Sequence, residues 1–423
     1  MKSLTRRYWH IAFLAVLLLG FLMDMHLARR YGGIDLRDKV LGSRSLLEGR
    51  SPYFDPWEPG EPERFADPMV PVGASLTRFT GTPFQALVMI PLGLVPYDVA
   101  RYGWAAASYL LLLIPLYQLA RHFGSDHRWW AFPLVAGGMV ACTSWHLHVE
   151  RGQVYVIYGA LISWGFLLLH QRRDLLFGVL AAGLILFKPT YALLFVPLIL
   201  HTTRRMWLGG LAVALLSVAA FLALPNGLAP WMEYRDAMAE WTRYATTAEP
   251  VSLDPDAFVY PPSIEGREDL TSMHPMEFEN SSVFALAQAF LGELPGWTSS
   301  LLMGAWGLLL LILFRTKWRS MSRADLLLMG FILWLGCMLV LPVPRFDYQV
   351  VQWAGPLLYL LLLHRLPHGP WPAMAGLGAV LVVGALDLLP VNVLLGECLW
   401  SIVIMATLLQ TPVRLQEDLH SSA

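Results

Sequence analysis

The sequence predicts an all-α protein that is a polytopic membrane helical bundle, on three observations. Of its 423 residues 56% are hydrophobic and only 14% charged, whereas soluble domains carry roughly 25% charged residues. Apolar runs recur along the chain at lengths near the ~20 residues that a helix needs to cross a bilayer. Basic residues collect in alternate short loops, the pattern that sets membrane orientation.

The runs fall near residues 9–27, 98–121, 129–146, 154–170, 175–188, 190–201, 206–225, 299–314, 325–342, 349–364, 371–387 and 391–410, which predicts about twelve crossings. The first follows Lys2, Arg6 and Arg7 but lacks a small-x-small cleavage site and continues into Asp24 and His26, so it reads as an anchor rather than a signal peptide. Alternating the spans from an inside N-terminus puts Arg121, Arg128, Arg172, Arg173, Arg204, Arg205, Arg315, Lys317, Arg319, Arg323, Arg365 and Arg414 in the cytoplasm. Both termini are then cytoplasmic, and two long loops, 28–97 and 226–298, face the other side of the plasma membrane.

Runs 175–188 and 190–201 are short and meet at Lys188-Pro189, while both flanks are basic. They read as two tilted spans or as a re-entrant hairpin with Lys188 near its tip. Pro83 to Pro96 is also short and is placed in the outer interface. Pro230 to Tyr244 reads as an amphipathic helix, one of the short helices expected on the outer loops. No clean internal repeat is present. The 17 Trp and 15 Tyr suit headgroup level. The formal charge of −1 excludes a basic nucleic-acid footprint. Cys142, Cys337 and Cys398 lie in apolar runs and carry no redox information.

The outward segments hold the chemistry. In GGIDLRDKVLGSRSLLEGRSPY, Asp35 and Asp38 are three apart and share a helix face. A carboxylate there suits a general base, or merely pairs with Arg37, Lys39 or Arg44. Were a sugar leaving with a phosphate ester, the departing anion would need cations rather than a second carboxylate. Lys188 lies within an apolar run, where a charge costs about 2.5–3.5 kcal/mol on insertion scales; it reads as a phosphate ligand or as a snorkelling lysine. Arg345 offers a fork for phosphate, or pairs with Asp347. In HLHVERGQVY, the i, i+2, i+4 spacing of His146, His148 and Glu150 does not put all three on one helical face, so no metal is expected. Arg151 and Gln153 read as sugar- or phosphate-binding residues, and Asn280 as a ligand-binding residue or a helix cap.

Taken together, these segments resemble glycosyltransferase family 87, the polyprenol-phosphate-mannose-dependent mannosyltransferases of the GT-C superfamily. The early D-[FL]-x-x-Y…LL-x-G-x-x-P-Y pattern appears as Asp35-Leu36, Leu46-Leu47-Glu48-Gly49 and Pro52-Tyr53. The G-Q, K-P and N-x-S motifs appear as Gly152-Gln153, Lys188-Pro189 and Asn280-Ser281-Ser282, and the late W-D-H-like loop as Phe346-Asp347-Tyr348. Gly81-Thr82-Pro83 replaces the family's Y-P-P, FDPWEPGEPERFADP lengthens the first loop, and Tyr348 stands where relatives have His.

The resemblance implies one GT-C-type transmembrane domain over 1–423, with the catalytic Asp in loop 28–97. It implies inverting transfer of mannose or another hexose or pentose from a polyprenyl-phosphate donor to a lipid-linked or cell-surface glycan. Asp35 would be the base, Lys188 and Arg345 the donor-phosphate ligands, and Asp38, Arg151, Gln153, Asn280 and Asp347 substrate-binding residues. No cofactor is implied, and the partners are the donor, the acceptor and membrane lipids. A secondary transporter and a non-catalytic assembly factor are the competing readings; a transporter usually shows two related halves with a midplane site.

Overall fold

The computed structural model describes residues 2–55, 57–58, 60–69, 79–124, 128–247, 282–292, 294–295, 297–341, 345–364, 366, 368–383 and 392–410. Every regular element among them is helical, with no strand. In chain order these are α1 (Lys2–Tyr31), α2 (Ile34–Leu47), α3 (Pro83–Gly93), α4 (Tyr97–Phe123), α5 (Ala131–Val140), α6 (Thr143–Arg151), α7 (Tyr155–His170) and α8 (Asp174–Phe187). There follow α9 (Ala192–Phe195), α10 (Arg204–Leu222), α11 (Ala229–Thr247), α12 (Val283–Leu291), α13 (Thr298–Phe314), α14 (Arg323–Val340), α15 (Ala354–Leu363), α16 (Trp371–Val383) and α17 (Asn392–Gln410).

Local signals set the boundaries. Thr82, Thr203 and Ser322 cap α3, α10 and α14 by accepting from Gln85, Met206 and Asp325 backbone N–H groups at 3.2, 3.3 and 3.0 Å. Gly32 and Gly33, at φ 71° and 64°, turn the chain out of α1 into α2. Pro189 ends α8, since it has no N–H to continue the ladder.

Large side chains of α7, α14, α15 and the 3-10 turn Asp347–Trp353 form the centre: Phe166 stacks on Tyr359 at 4.4 Å, and Phe331 meets Trp353 edge-on at 5.0 Å. Buried area decides which helices face outward. Of the most apolar window of α14 72% is buried, against 17% of that of α1 and 22% of that of α10. Leu18, Leu19 and Leu22 of α1 and Leu215, Leu216 and Leu222 of α10 are exposed. An outer surface this apolar is stable against hydrocarbon, not water.

Among the described residues five helices are long and apolar enough to cross a membrane: Arg7–Tyr31, Tyr97–Phe123, Arg204–Leu222, Arg323–Val340 and Asn392–Gln410. The pair α6 and α7, bent by 118°, makes a sixth if it is one broken span. The difference from the expected count of about twelve has a local cause, because several apolar runs are interrupted. Run 129–146 divides into α5 and the start of α6, and run 349–364 begins as a 3-10 turn before becoming α15. Six further apolar helices are shorter, among them Asp174–Phe187 and Thr298–Phe314.

The segment around Lys188 folds back on itself, as either two tilted spans or a re-entrant hairpin would. The Thr203 hydroxyl donates to Asp174 Oδ2 at 2.8 Å, and Arg323 to Oδ1 at 2.9 Å, so its two ends meet. Lys188 sits at the opposite end of α8, about 20 Å away at 1.5 Å per residue. Pro83–Gly93, short in the sequence, is a helix packed on α2, and the expected amphipathic helix at Pro230 is α11.

Candidate active site

The site is built where α2 crosses the end of α6. Gly152 ends α6 in the left-handed region at φ 69°, and a Cβ there would lie 2.4 Å from Leu36 Cβ. Only glycine allows both the turn and the approach, which brings Arg151 and Gln153 against the first turn of α2. The Tyr97 hydroxyl fixes the other side of that turn, donating to the Gly32 and Gly33 carbonyls.

Asp35 therefore meets Arg151, whose Nε donates to its Oδ2 at 2.6 Å; the carboxylate side chain is 25% exposed. Burial pushes this carboxyl upward, but the Arg151 and Lys39 cations and hydrogen bonds from the Arg151 and Gln153 side chains outweigh it, holding Asp35 below its ordinary range. Its place in the first turn of α2 adds the favourable end of the helix dipole. The cations of α2 are otherwise engaged. Lys39 donates to the Asp35 carbonyl at 2.6 Å, Arg37 forms a buried two-bond pair with Asp67, and Arg44 bonds the Gly93, Arg64 and Val95 carbonyls. Through Asp67 and Arg64 the proline-rich insert is clipped to the flank of α2.

Asp38, one turn on, is buried. Burial and the neighbouring Asp35 charge push its carboxyl up to about 8, against the opposing pull of Lys39 and the Thr80 backbone N–H. The two carboxyls therefore differ at neutral pH: Asp35 is an anion, and Asp38 holds its proton and can donate it in a hydrogen bond.

A line of contacts leads from Arg151 to Lys188. The Arg151 guanidinium lies 5.7 Å from the Phe346 and Tyr348 ring centres, and these two rings stack at 5.2 Å. Tyr348 meets Tyr155 at 5.6 Å, and the Lys188 ammonium lies 5.0 Å from the Tyr155 ring centre and 3.3 Å from its hydroxyl. Lys188 is half-buried in extended backbone. The Thr82 hydroxyl, in place of the family's Y-P-P stretch, bonds the Leu186 and Phe187 carbonyls at the end of α8, at 2.8 and 3.1 Å.

Other candidates lie elsewhere. Arg345 is fully buried and pairs with Glu397 of α17 at 2.6 Å, where Trp353 also donates to the same Glu397 oxygen at 2.8 Å. Asp347 is half-buried at the start of its 3-10 turn. Asn280 lies outside the described residues. His146 and His148 are spent separately, His146 Nδ1 on Asp24 at 2.7 Å and His148 Nε2 accepting from the Val156 N–H at 3.2 Å. Among the described residues no group of three His, Cys, Asp or Glu side chains is gathered for a metal ion.

Three further residues carry polar contacts that the sequence reading assigned to none of its candidates. Asp24, fully buried in α1, accepts from Tyr109, Trp145 at 2.9 Å and His146, and so ties α1 to α4 and α6. A carboxylate inside an apolar run was its only signal. Glu397, inside the last run, carried the same signal. Tyr155 stands two residues after the G-Q motif, and nothing in its spacing predicts Lys188 as its neighbour.

Comparison with protein families matches glycosyltransferase family 87 over residues 79–344. No curated protein and no solved structure matches the chain. The matched stretch holds Arg151, Gln153 and Lys188, while Asp35 and Arg345 lie outside it. Because that stretch covers more than half of an all-helical, lipid-facing chain, the protein belongs to glycosyltransferase family 87 and is a membrane glycosyltransferase.

Proposed function

We propose that this transferase takes a sugar, mannose or another hexose or pentose, from a polyprenyl-phosphate carrier and places it with inversion on a hydroxyl of a lipid-linked or cell-surface glycan. The observation that carries the reading is the line from the anionic Asp35 through Arg151 and the Tyr348 and Tyr155 rings to Lys188. In this reading a base and a phosphate ligand stand at its two ends, and the anomeric carbon reacts between them.

In this mechanism the acceptor oxygen attacks the anomeric carbon from the face opposite the phosphate. Its proton passes to an Asp35 oxygen, and the electron pair of the breaking carbon–oxygen bond leaves with the phosphate. A carboxylate held below its usual range is a weak base, yet it suffices, because the attacking hydroxyl becomes strongly acidic as its new bond forms. Arg151 keeps Asp35 ionised and aimed. The phosphate leaves as an anion, so charge from Lys188 replaces a general acid. Asp38, Gln153, Asn280 and Asp347 shape the sugar pocket. Arg345, engaged by Glu397, serves by fixing the Phe346-Asp347-Tyr348 turn rather than by gripping phosphate.

The architecture in this reading is GT-C-type, one domain with about twelve crossings once the shorter helices and the hairpin are counted. Loops 28–97 and 226–298 face outward and both termini inward; the Asp174–Arg323 contact, at the far end of α8 from Lys188, supports assigning the basic side to the cytoplasm. The test is to incubate purified protein and acceptor-bearing membranes with a panel of labelled polyprenyl-phosphate sugars. Release of polyprenyl phosphate with at least one sugar is expected; nucleotide-sugar turnover without any such release would overturn the donor class.

A further inference from the structure

Lys188 is held so that an unused donor stands beside it. An ammonium has three N–H groups and no lone pair, so across the 3.3 Å contact the lysine donates and the Tyr155 oxygen accepts. The phenol keeps its own proton, and among the described residues that proton meets no acceptor. Lys188 likewise has N–H groups left after this bond. The Tyr155 ring does not swing freely: Tyr158 packs on it edge-on at 5.4 Å, Tyr348 lies against it at 5.6 Å, and the lysine sits over its face.

Two fixed donors, side by side, with no further acceptor beside them among the described residues, suit one ligand chemistry. A sugar hydroxyl brings a proton of its own that would need an acceptor here. A phosphate oxygen brings only lone pairs and negative charge. We infer that Tyr155 is a second phosphate ligand of this enzyme, its hydroxyl donating to a phosphate oxygen that Lys188 neutralises. The inference rests on the polyprenyl-phosphate reading above and adds a residue to it. It also assigns a role in the chemistry: the donor phosphate gains a negative charge as the sugar leaves, so a hydrogen bond from Tyr155 strengthens along the reaction.

The test uses the full-length protein in detergent and three probes: farnesyl phosphate, farnesol and inorganic phosphate. Tyr155→Phe keeps the ring that carries Lys188 and removes only the hydroxyl. Farnesyl phosphate affinity is expected to fall about tenfold, the usual size of one lost hydrogen bond to a charged group, with farnesol affinity and thermal midpoint unchanged. Lys188→Met is expected to lose more of the same discrimination. Competition by inorganic phosphate, weaker in Tyr155→Phe, marks a site for the phosphate group itself; its absence beside a tenfold farnesyl phosphate loss marks one that requires the lipid. If Tyr155→Phe binds farnesyl phosphate as wild type does while Lys188→Met does not, the Tyr155 role is wrong and the phosphate reading survives. If wild type fails to prefer farnesyl phosphate over farnesol, both are overturned.

Discussion

Asp35 and Asp38 stand one helical turn apart on α2 and are driven in opposite directions by their surroundings. Burial acts on both, but Arg151 reaches only Asp35 and holds it low, while Asp38 is raised to about 8. A raised acid favours folding below its unfolded value near 4 and loses that contribution as pH climbs through about 8. Between pH 5 and 8 the stability of wild type should therefore fall relative to Asp38→Asn, by up to about 1.4 kcal/mol per pH unit for one proton, read as thermal unfolding in detergent across that range. The depressed Asp35 acts in the other sense, adding stability that is present above its unfolded value and lost as pH falls through its folded one. Arg151→Gln removes the leading cation and leaves burial unopposed by it. If Asp35 is the base, the acid limb of the transfer rate against pH should move upward in that variant; an unmoved limb would show that Arg151 does not set the ionisation that governs transfer.

Among the helices, what holds Asp35 in place is the crossing of α2 and α6 at Gly152. Alanine there meets Leu36 Cβ at 2.4 Å and must sit at positive φ. Gly152→Ala is expected to cost more than about 2 kcal/mol and to lower transfer by displacing Arg151 from Asp35, measured as a fall in thermal midpoint together with activity. The sequence made parts of this crossing legible. The spacing of Asp35 and Asp38 gave a shared helix face, and the G-Q motif located the start of α7. The Lys188-Pro189 break marked the end of α8. Partners distant along the chain were not legible, because a charge carries no label for its counter-charge. Nothing near Arg151 or Arg345 in the chain announces the partners the fold gives them, Asp35 and Glu397. Breaks within apolar runs were equally hidden, since composition alone does not tell a 3-10 turn from a continuous helix.

Across the molecule, α8 separates two polar groups of residues. The Asp174–Thr203–Arg323 junction lies at one end and Lys188 at the other, joined by α8. An orientation with the site outward makes a definite prediction about access. In spheroplasts, an impermeant maleimide should label Glu63→Cys in the clipped insert and should reach Arg319→Cys only after the membrane is opened; both positions are exposed in the fold. The reverse pattern would invert the protein and separate its site from an outer-leaflet donor.

Whether Asp35 takes the proton in sugar transfer is read by a single-turnover assay with a labelled polyprenyl-phosphate sugar. Asp35→Asn keeps the shape and the hydrogen-bonding reach of the side chain, so farnesyl phosphate binding should stay near the wild-type value while transfer falls by about 10²–10⁴-fold, the range supplied by a positioned base. Transfer by Asp35→Asn within a few-fold of wild type, with the fold intact, would contradict the account.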